Sequence, residues 1–227
     1  MKKVLVIAAA LALLAAPAFG FIANSKHDLS SGSTSGGATS NTDEICVFCH
    51  TPHGATTDGP LWNKVDSGST ASAIYADPSN TMDATPTLAN INASDAVLCL
   101  DCHDGANLAN LTNPPNSLSG ALTITDGGNV TGGVITGAAL VDGDFSNDHP
   151  VGFEWADGND SEIELIATIQ AALPGAMSFG STGNQMWCSS CHDVHGVEDG
   201  TNPGNVIPAF LRVKNTGSAL CLTCHIK

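Results

Sequence analysis

All eight cysteines of the chain fall in one pattern, C-x-x-C-H, which occurs four times: Cys46/Cys49/His50, Cys99/Cys102/His103, Cys188/Cys191/His192 and Cys221/Cys224/His225. On a short helical turn this spacing puts both thiols on one face, with an imidazole at the next position. Thiols so placed reach the two vinyl groups on one edge of a porphyrin, and the imidazole points at the iron as its proximal ligand. Disulfides are the default reading in an exported protein, but they do not call for a histidine after every second cysteine. Zinc also uses C-x-x-C pairs, yet has no need of four identical adjacent histidines. A thioredoxin-like motif occurs once, in a βαβ setting. The pattern therefore predicts four covalently bound haem c groups, which consume the whole cysteine complement.

The histidines sharpen this. Of eight in the chain, His50, His103, His192 and His225 are the proximal set, and His27, His53, His149 and His195 remain. Four irons each need one further axial ligand, so the remaining supply equals the demand. The count predicts four bis-histidine irons with His27, His53, His149 and His195 as distal ligands. Met82, Met177 and Met186 are alternative axial ligands that this balance does not require. With both axial positions filled no iron is open to a substrate, so the expected role is electron transfer, with no catalytic residue. Ligation by two imidazoles also lacks the thioether that raises the potential of His/Met cytochromes, so low potentials are expected.

The motif order repeats. A lone histidine (SKHDLS, then NDHPVG) precedes C-x-x-C-H-x-x-H-G (CVFCHTPHG, then CSSCHDVHG), which precedes a plain C-x-x-C-H (AVLCLDCH, then SALCLTCH). Internal self-similarity of this kind implies two modules of one plan. His53 follows His50 by three residues, too few for the chain to pass round a macrocycle to the far side of the same iron. It must serve a neighbouring haem, and His195 after His192 must do the same. The division expected is a signal peptide over 1–20, a first two-haem module with a flexible N-terminal arm over 21–110, a Gly/Thr-rich connector over 111–144, and a second two-haem module over 145–227.

The signal peptide is read from Lys2 and Lys3, the apolar run Val4 to Ala16, and the small residues around Ala18 and Gly20. Downstream of it nothing approaches the roughly 20 apolar residues needed to cross a bilayer, so no membrane insertion is expected. A secreted product follows, extracellular or on the outer cell surface, reached via the periplasm. The net charge of −15 repels nucleic acid and anionic lipid, which removes both as partners. Aromatic residues make up 5% of the chain, too few to fill an ordinary core. The fold class expected is thus a multihaem cytochrome c: mostly loop, with short helices and a few short strands wrapped around four covalently attached haems.

Short helical turns should carry each C-x-x-C-H, with Ser94 capping the one before Cys99. A longer helix is signalled by SEIELIATIQAAL, with Ser161 and Glu164 as a capping box, apolar positions at Ile163, Ile166, Ile169 and Leu173, and Pro174 as its stop. The alternation of β-branched and glycine residues over 121–137 predicts a hairpin, and the Ser/Gly/Thr tract over 30–41 a flexible linker.

CVFCHTPHG followed by GPLWNK, then CLDCHDG, DHPVGF, CSSCHDVHG and the terminal FLRVKNTGSALCLTCHIK, resemble the doubled-CxxCH multihaem c-type cytochromes of metal-respiring bacteria. Within that family the chain most resembles the tetrahaem cytochromes that polymerise into extracellular filaments, the OmcE-like type. The resemblance implies stacked haems and a head-to-tail homopolymer in which one distal histidine comes from the neighbouring subunit. His53 would be the first choice for the donated ligand and His27 the second. It also implies other multihaem cytochromes or extracellular electron acceptors as partners. A monomeric periplasmic or cell-surface tetrahaem carrier is the alternative, and a multihaem oxidoreductase with an open haem site a third reading.

Overall fold

The computed structural model describes residues 21–65, 68, 70–76, 82–155, 160–172, 183–202 and 204–226. The signal peptide, Met177, Leu173 and Pro174 lie outside the described residues.

Each C-x-x-C-H sits on a short helical element, as the thiol spacing demands. Cys46–Phe48 is a single 3₁₀ turn, Ala96–His103 an α-helix of two turns, Cys188–Cys191 one turn, and Ala219–Cys224 a turn and a half. Between them the chain is loop, pinned by two-stranded pairings of two residues a side among the described residues. Thr39–Ser40 pairs antiparallel with Ile124–Thr125, Ala73–Ile74 runs parallel to Asp144–Phe145, and Phe153–Glu154 pairs antiparallel with Gln185–Met186.

The expected hairpin is present but narrower than 121–137. Val130–Thr131 pairs with Val134–Ile135 across Gly132 and Gly133, whose φ values of +63° and +75° make the tight turn that glycine favours. The Asp126 carboxylate accepts from both turn amides, at 2.7 and 3.0 Å, and those bonds hold its carboxyl below the usual carboxylate range. The preceding stretch does not join the hairpin. Ile124–Thr125 instead receives Thr39–Ser40 from the N-terminal tract.

That tract corrects the expectation of a flexible linker over 30–41. Ala38, Ser40 and Thr42 are buried, Ser31 N–H donates to the Thr42 carbonyl at 2.6 Å, and Thr42 Oγ1 lies 2.7 Å from Ser117 Oγ. Gly127 lets the two backbones touch, since a Cβ there would meet the Gly37 carbonyl oxygen at 2.4 Å. A run of small hydroxyl residues is only low-complexity until a partner chain supplies hydrogen bonds, and here the connector supplies them.

The helix expected from Ser161 also needs correcting. It spans Ile166–Ala172, and the Ser161/Glu164 capping box does not form at its start. Residues 162–164 run extended against the last C-x-x-C-H: Ile226 N–H donates to Glu162 O at 2.7 Å and Glu164 N–H to Cys224 O at 2.8 Å. The Cys224 carbonyl and the Ile226 N–H thus compete with helix formation and win the first turn. Ile169 remains on the buried face, 1% exposed.

Three small apolar clusters replace a single core. Leu29, Ala38, Val47, Phe48 and Leu108 form one, with Cys49 and Cys102 at its margin. Ala71, Ile91, Ala96, Leu100 and Phe145 form the second, touched by Cys188. The third holds Phe153, Trp155, Ile169, Met186 and Cys224. Met186 is therefore a packing residue, 3% exposed. Every cluster ends on haem-motif thiols, so the apolar side chains stop where a large flat apolar group is expected.

Candidate haem-binding sites

Histidines from distant parts of the chain face one another in pairs. The ring centroids of His50 and His195 are 6.2 Å apart, those of His27 and His103 6.3 Å, and those of His149 and His225 6.2 Å. An iron between two imidazoles needs two metal–nitrogen bonds of about 2 Å plus about 1.1 Å from each nitrogen to its ring centre, a centroid separation of about 6.2 Å. Each pair joins a motif histidine to one of the four others, and each matches that separation. His53, which is exposed, and His192 are left over, and neither makes a ring contact with another histidine among the described residues.

Side-chain hydrogen bonds set the ligating nitrogen. The Nδ1 of His50 lies 2.9 Å from the Pro60 carbonyl oxygen, that of His103 2.6 Å from Ala139 O, and that of His192 2.8 Å from Ala209 O. Nδ1 of His149 lies 2.9 Å from Pro150 O. A carbonyl only accepts, so each Nδ1 carries the proton and each Nε2 keeps its lone pair for a metal. His27 is fixed by a hydrogen bond to the Val194 backbone and by stacking on Phe210, centroids 4.1 Å apart. Burial, then the charges of His103 and its neighbours, lower its pKa to about 4, which leaves the imidazole neutral and able to ligate at neutral pH.

The thiols line up in sequence order. Cys49 and Cys102 border one apolar cluster, Cys99 is acted on by Cys188, Cys191 by Cys221, and Cys224 by Cys191. Burial pushes the Cys49 thiol up to about 12 and Cys224 up to about 11, and raises Cys102 and Cys191 as well; Cys99 is raised first by its bond to Cys188. Zinc would require thiolates. Among the described residues no three of His, Cys, Asp or Glu converge as a zinc site requires. Thiol pairs carried on short helical elements, with histidines facing in twos at an iron-spanning separation, fit covalent haem.

Sequence reasoning passed over the segments that orient the motif histidines. After each C-x-x-C-H-x-x-H the chain returns and pairs with the motif. Asn63 N–H donates to Cys49 O at 3.0 Å and Thr51 N–H to Leu61 O at 2.8 Å. In the second copy Arg212 N–H donates to Cys191 O and Asp193 N–H to Phe210 O, each at 2.8 Å. Leu61 and Phe210 occupy the same left-handed conformation, φ +56° and +54°. The Asn63 side chain donates to Val47 O at 2.6 Å, where Arg212 Nε donates to Ser189 O at 2.6 Å. The fixed Pro60 and Ala209 carbonyls are what hold His50 and His192. GPLWNK and FLRVKN were the only sequence signals for this.

Asp95 was also missed. Ser94, expected to cap the helix before Cys99, sits one residue outside it: Asp95 is the N-cap, and Ser94 Oγ accepts from Ala96 N–H at 3.1 Å. The adjacent Asp95 carboxylate instead accepts from the amides of Cys188 and Ser189, at 3.2 and 3.0 Å, and so caps the third haem motif from the second.

The family model for the doubled CXXCH motif matches residues 181–227. The match supports a multihaem c-type cytochrome. Its span covers the third and fourth motifs, and the return segment after His192 lies wholly inside it. Curated proteins give no significant match to the chain.

Proposed function

We propose that the chain is a tetrahaem c-type electron-transfer protein with bis-histidine irons, and that it is the repeating subunit of an extracellular filament. The observation carrying the electron-transfer reading is the set of three histidine pairs at 6.2–6.3 Å, each made of one motif histidine and one from elsewhere. Haem held between these histidines would supply one-electron ferric/ferrous chemistry. The protein's own contribution is to fix one imidazole of each pair (His50, His103 and His149) through Nδ1, to keep water from the axial positions, and to bring successive motifs close together. Cys49 and Cys102 border one apolar cluster, and Asp95, just before the second motif, accepts from the amides of Cys188 and Ser189, which brings the first motif beside the second and the second beside the third.

Two features support assembly. His53 is exposed, and His192 has no facing ring in its own chain among the described residues. A His53 supplied by the next subunit would complete the His192 iron and continue the haem series across the joint. His27, the other residue considered for that role, faces His103 of its own chain. A monomeric carrier is the second reading, favoured by symmetry. His195 of the second copy faces His50 of the first, so a reciprocal His53 to His192 closure within one chain would complete the exchange. Pyridine haemochrome assay and intact mass test the haem count, with four expected. Negative-stain microscopy of wild type and His53→Ala decides the assembly. Filaments lost in the variant support the first reading, and wild-type monomers with four low-spin haems support the second.

A further inference from the structure

Lys64 is one of seven Lys and Arg residues in an acidic chain, and it is 1% exposed. Lysines normally bury the stem and leave the ammonium in water. Here Nζ donates to the carbonyls of Asn107 and Leu108, 3.2 Å each, and Leu108 packs in the apolar cluster that Cys49 and Cys102 border. The Lys64 charge reaches both thiols. The backbone holds it there: Lys64 bridges to Leu111, and Thr112 Oγ1 donates to Lys64 O at 3.0 Å. Burying an ammonium costs several kcal/mol before compensation, so the chain meets a real penalty to place a cation between two haem motifs.

We propose that Lys64 is a potential-setting residue, a fixed positive charge at the seam of the first and second haem motifs that favours the reduced iron at both. The proposal rests on the cytochrome reading above. Gaining an electron lowers the positive charge on an iron by one, and a nearby cation in a poorly screened interior stabilises that product. Asp101 on the Ala96–His103 helix and Asp104 at its C-cap oppose it, and the Asp101 carboxylate is tied to Trp62 Nε1 at 2.7 Å. The second copy has no equivalent free field, because Arg212, its cation near Cys191, is ion-paired with Asp193 at 3.1 Å.

The test is a potentiometric titration of the haem-loaded protein, followed optically. Lys64→Gln keeps donors for the two carbonyls and removes the charge, Lys64→Met removes both, and Lys64→Arg keeps the charge. Gln and Met are expected to shift two of the four midpoints negative by about tenfold in the one-electron equilibrium, about 59 mV, and Arg to leave them in place. Asp101→Asn, which still accepts from Trp62, should shift at least one midpoint positive. Equal shifts in all four haems, or none, in variants that remain low-spin would overturn the proposal. If the Lys64 variants fail to load haem, the absence of a positive shift in Asp101→Asn overturns it alone. A wild-type chain without haem in the pyridine haemochrome assay would instead sink the cytochrome reading before any titration.

Discussion

The return segments after His50 and His192 close in the same backbone register with almost no side chain in common. His50 reaches its carbonyl 10 residues on and His192 reaches its own 17 residues on, so the second loop is longer by seven. The extra length is taken up in a turn around Asp199, whose backbone N–H donates to Asn205 O at 2.7 Å. What the two copies share is a set of carbonyls aimed at imidazoles and one left-handed residue. What differs is how the set is locked. The first copy uses a fully buried amide, Asn63, and the second a guanidinium 15% exposed, Arg212. Backbone geometry at the iron is thus the conserved design, and the locking chemistry is free to vary between copies.

The harshest test removes what both copies are built around. Each apolar cluster stops on motif thiols, so a haem-free chain should show no cooperative near-ultraviolet circular dichroism melt. A native-like melt would mean that the side-chain clusters suffice alone. Next in size, His195→Ala should open the iron of His50 and leave the others closed. The His50/His195 rings lie 16° apart, whereas His27/His103 and His149/His225 cross at 66° and 73°. Near-parallel axial rings give a rhombic low-spin paramagnetic resonance signal and near-perpendicular rings a large-g one. The variant should therefore lose the rhombic signal, gain a high-spin one, and keep the large-g signals.

The locks themselves should differ in worth. Asn63 is fully buried and also accepts from Asn113 N–H at 2.9 Å, so Asn63→Ala should cost about 2–3 kcal/mol in a denaturant titration. Arg212→Ala, which loses one backbone bond and a partly exposed ion pair, should cost about 1 kcal/mol. Equal losses would erase the distinction drawn above. The smallest effect concerns the shared left-handed residue. Leu61 is 54% exposed, so Leu61→Gly should relieve strain and raise stability by about 0.5 kcal/mol. Phe210→Gly relieves the same strain but deletes a buried ring stacked on His27, and should lower stability by about 3 kcal/mol.

The short helical elements under the four C-x-x-C-H motifs were legible because thiol spacing and the adjacent imidazole are local. Gly132-Gly133 was legible for the same reason. The Ser161 start was not, since the residues after it pair with Cys224 and Ile226, some 60 residues on, and no local signal announces that. Ser/Gly/Thr content over 30–41 said only that the tract lacks a core of its own; its partner is the connector. Lys64 and Asn63 were invisible as site residues because burial of a cation or an amide is decided by carbonyls contributed from 107, 108 and 113. Pairwise facing of histidines could be counted in advance, but which ring meets which depends on how the two copies fold across each other.

The carboxylate of Asp95 on the amides of Cys188 and Ser189 has a bearing on folding. The turn carrying the third pair of thiols is four residues long and borrows its opening hydrogen-bond acceptors from a residue 93 positions earlier. Its local bonds are few: Trp187 N–H donates to Ser190 Oγ and Ser190 N–H to Trp187 O, 3.0 Å each. Docking of the second motif supplies the other acceptors, so the stiffness of the third pair of thiols depends on closure of the chain over that distance.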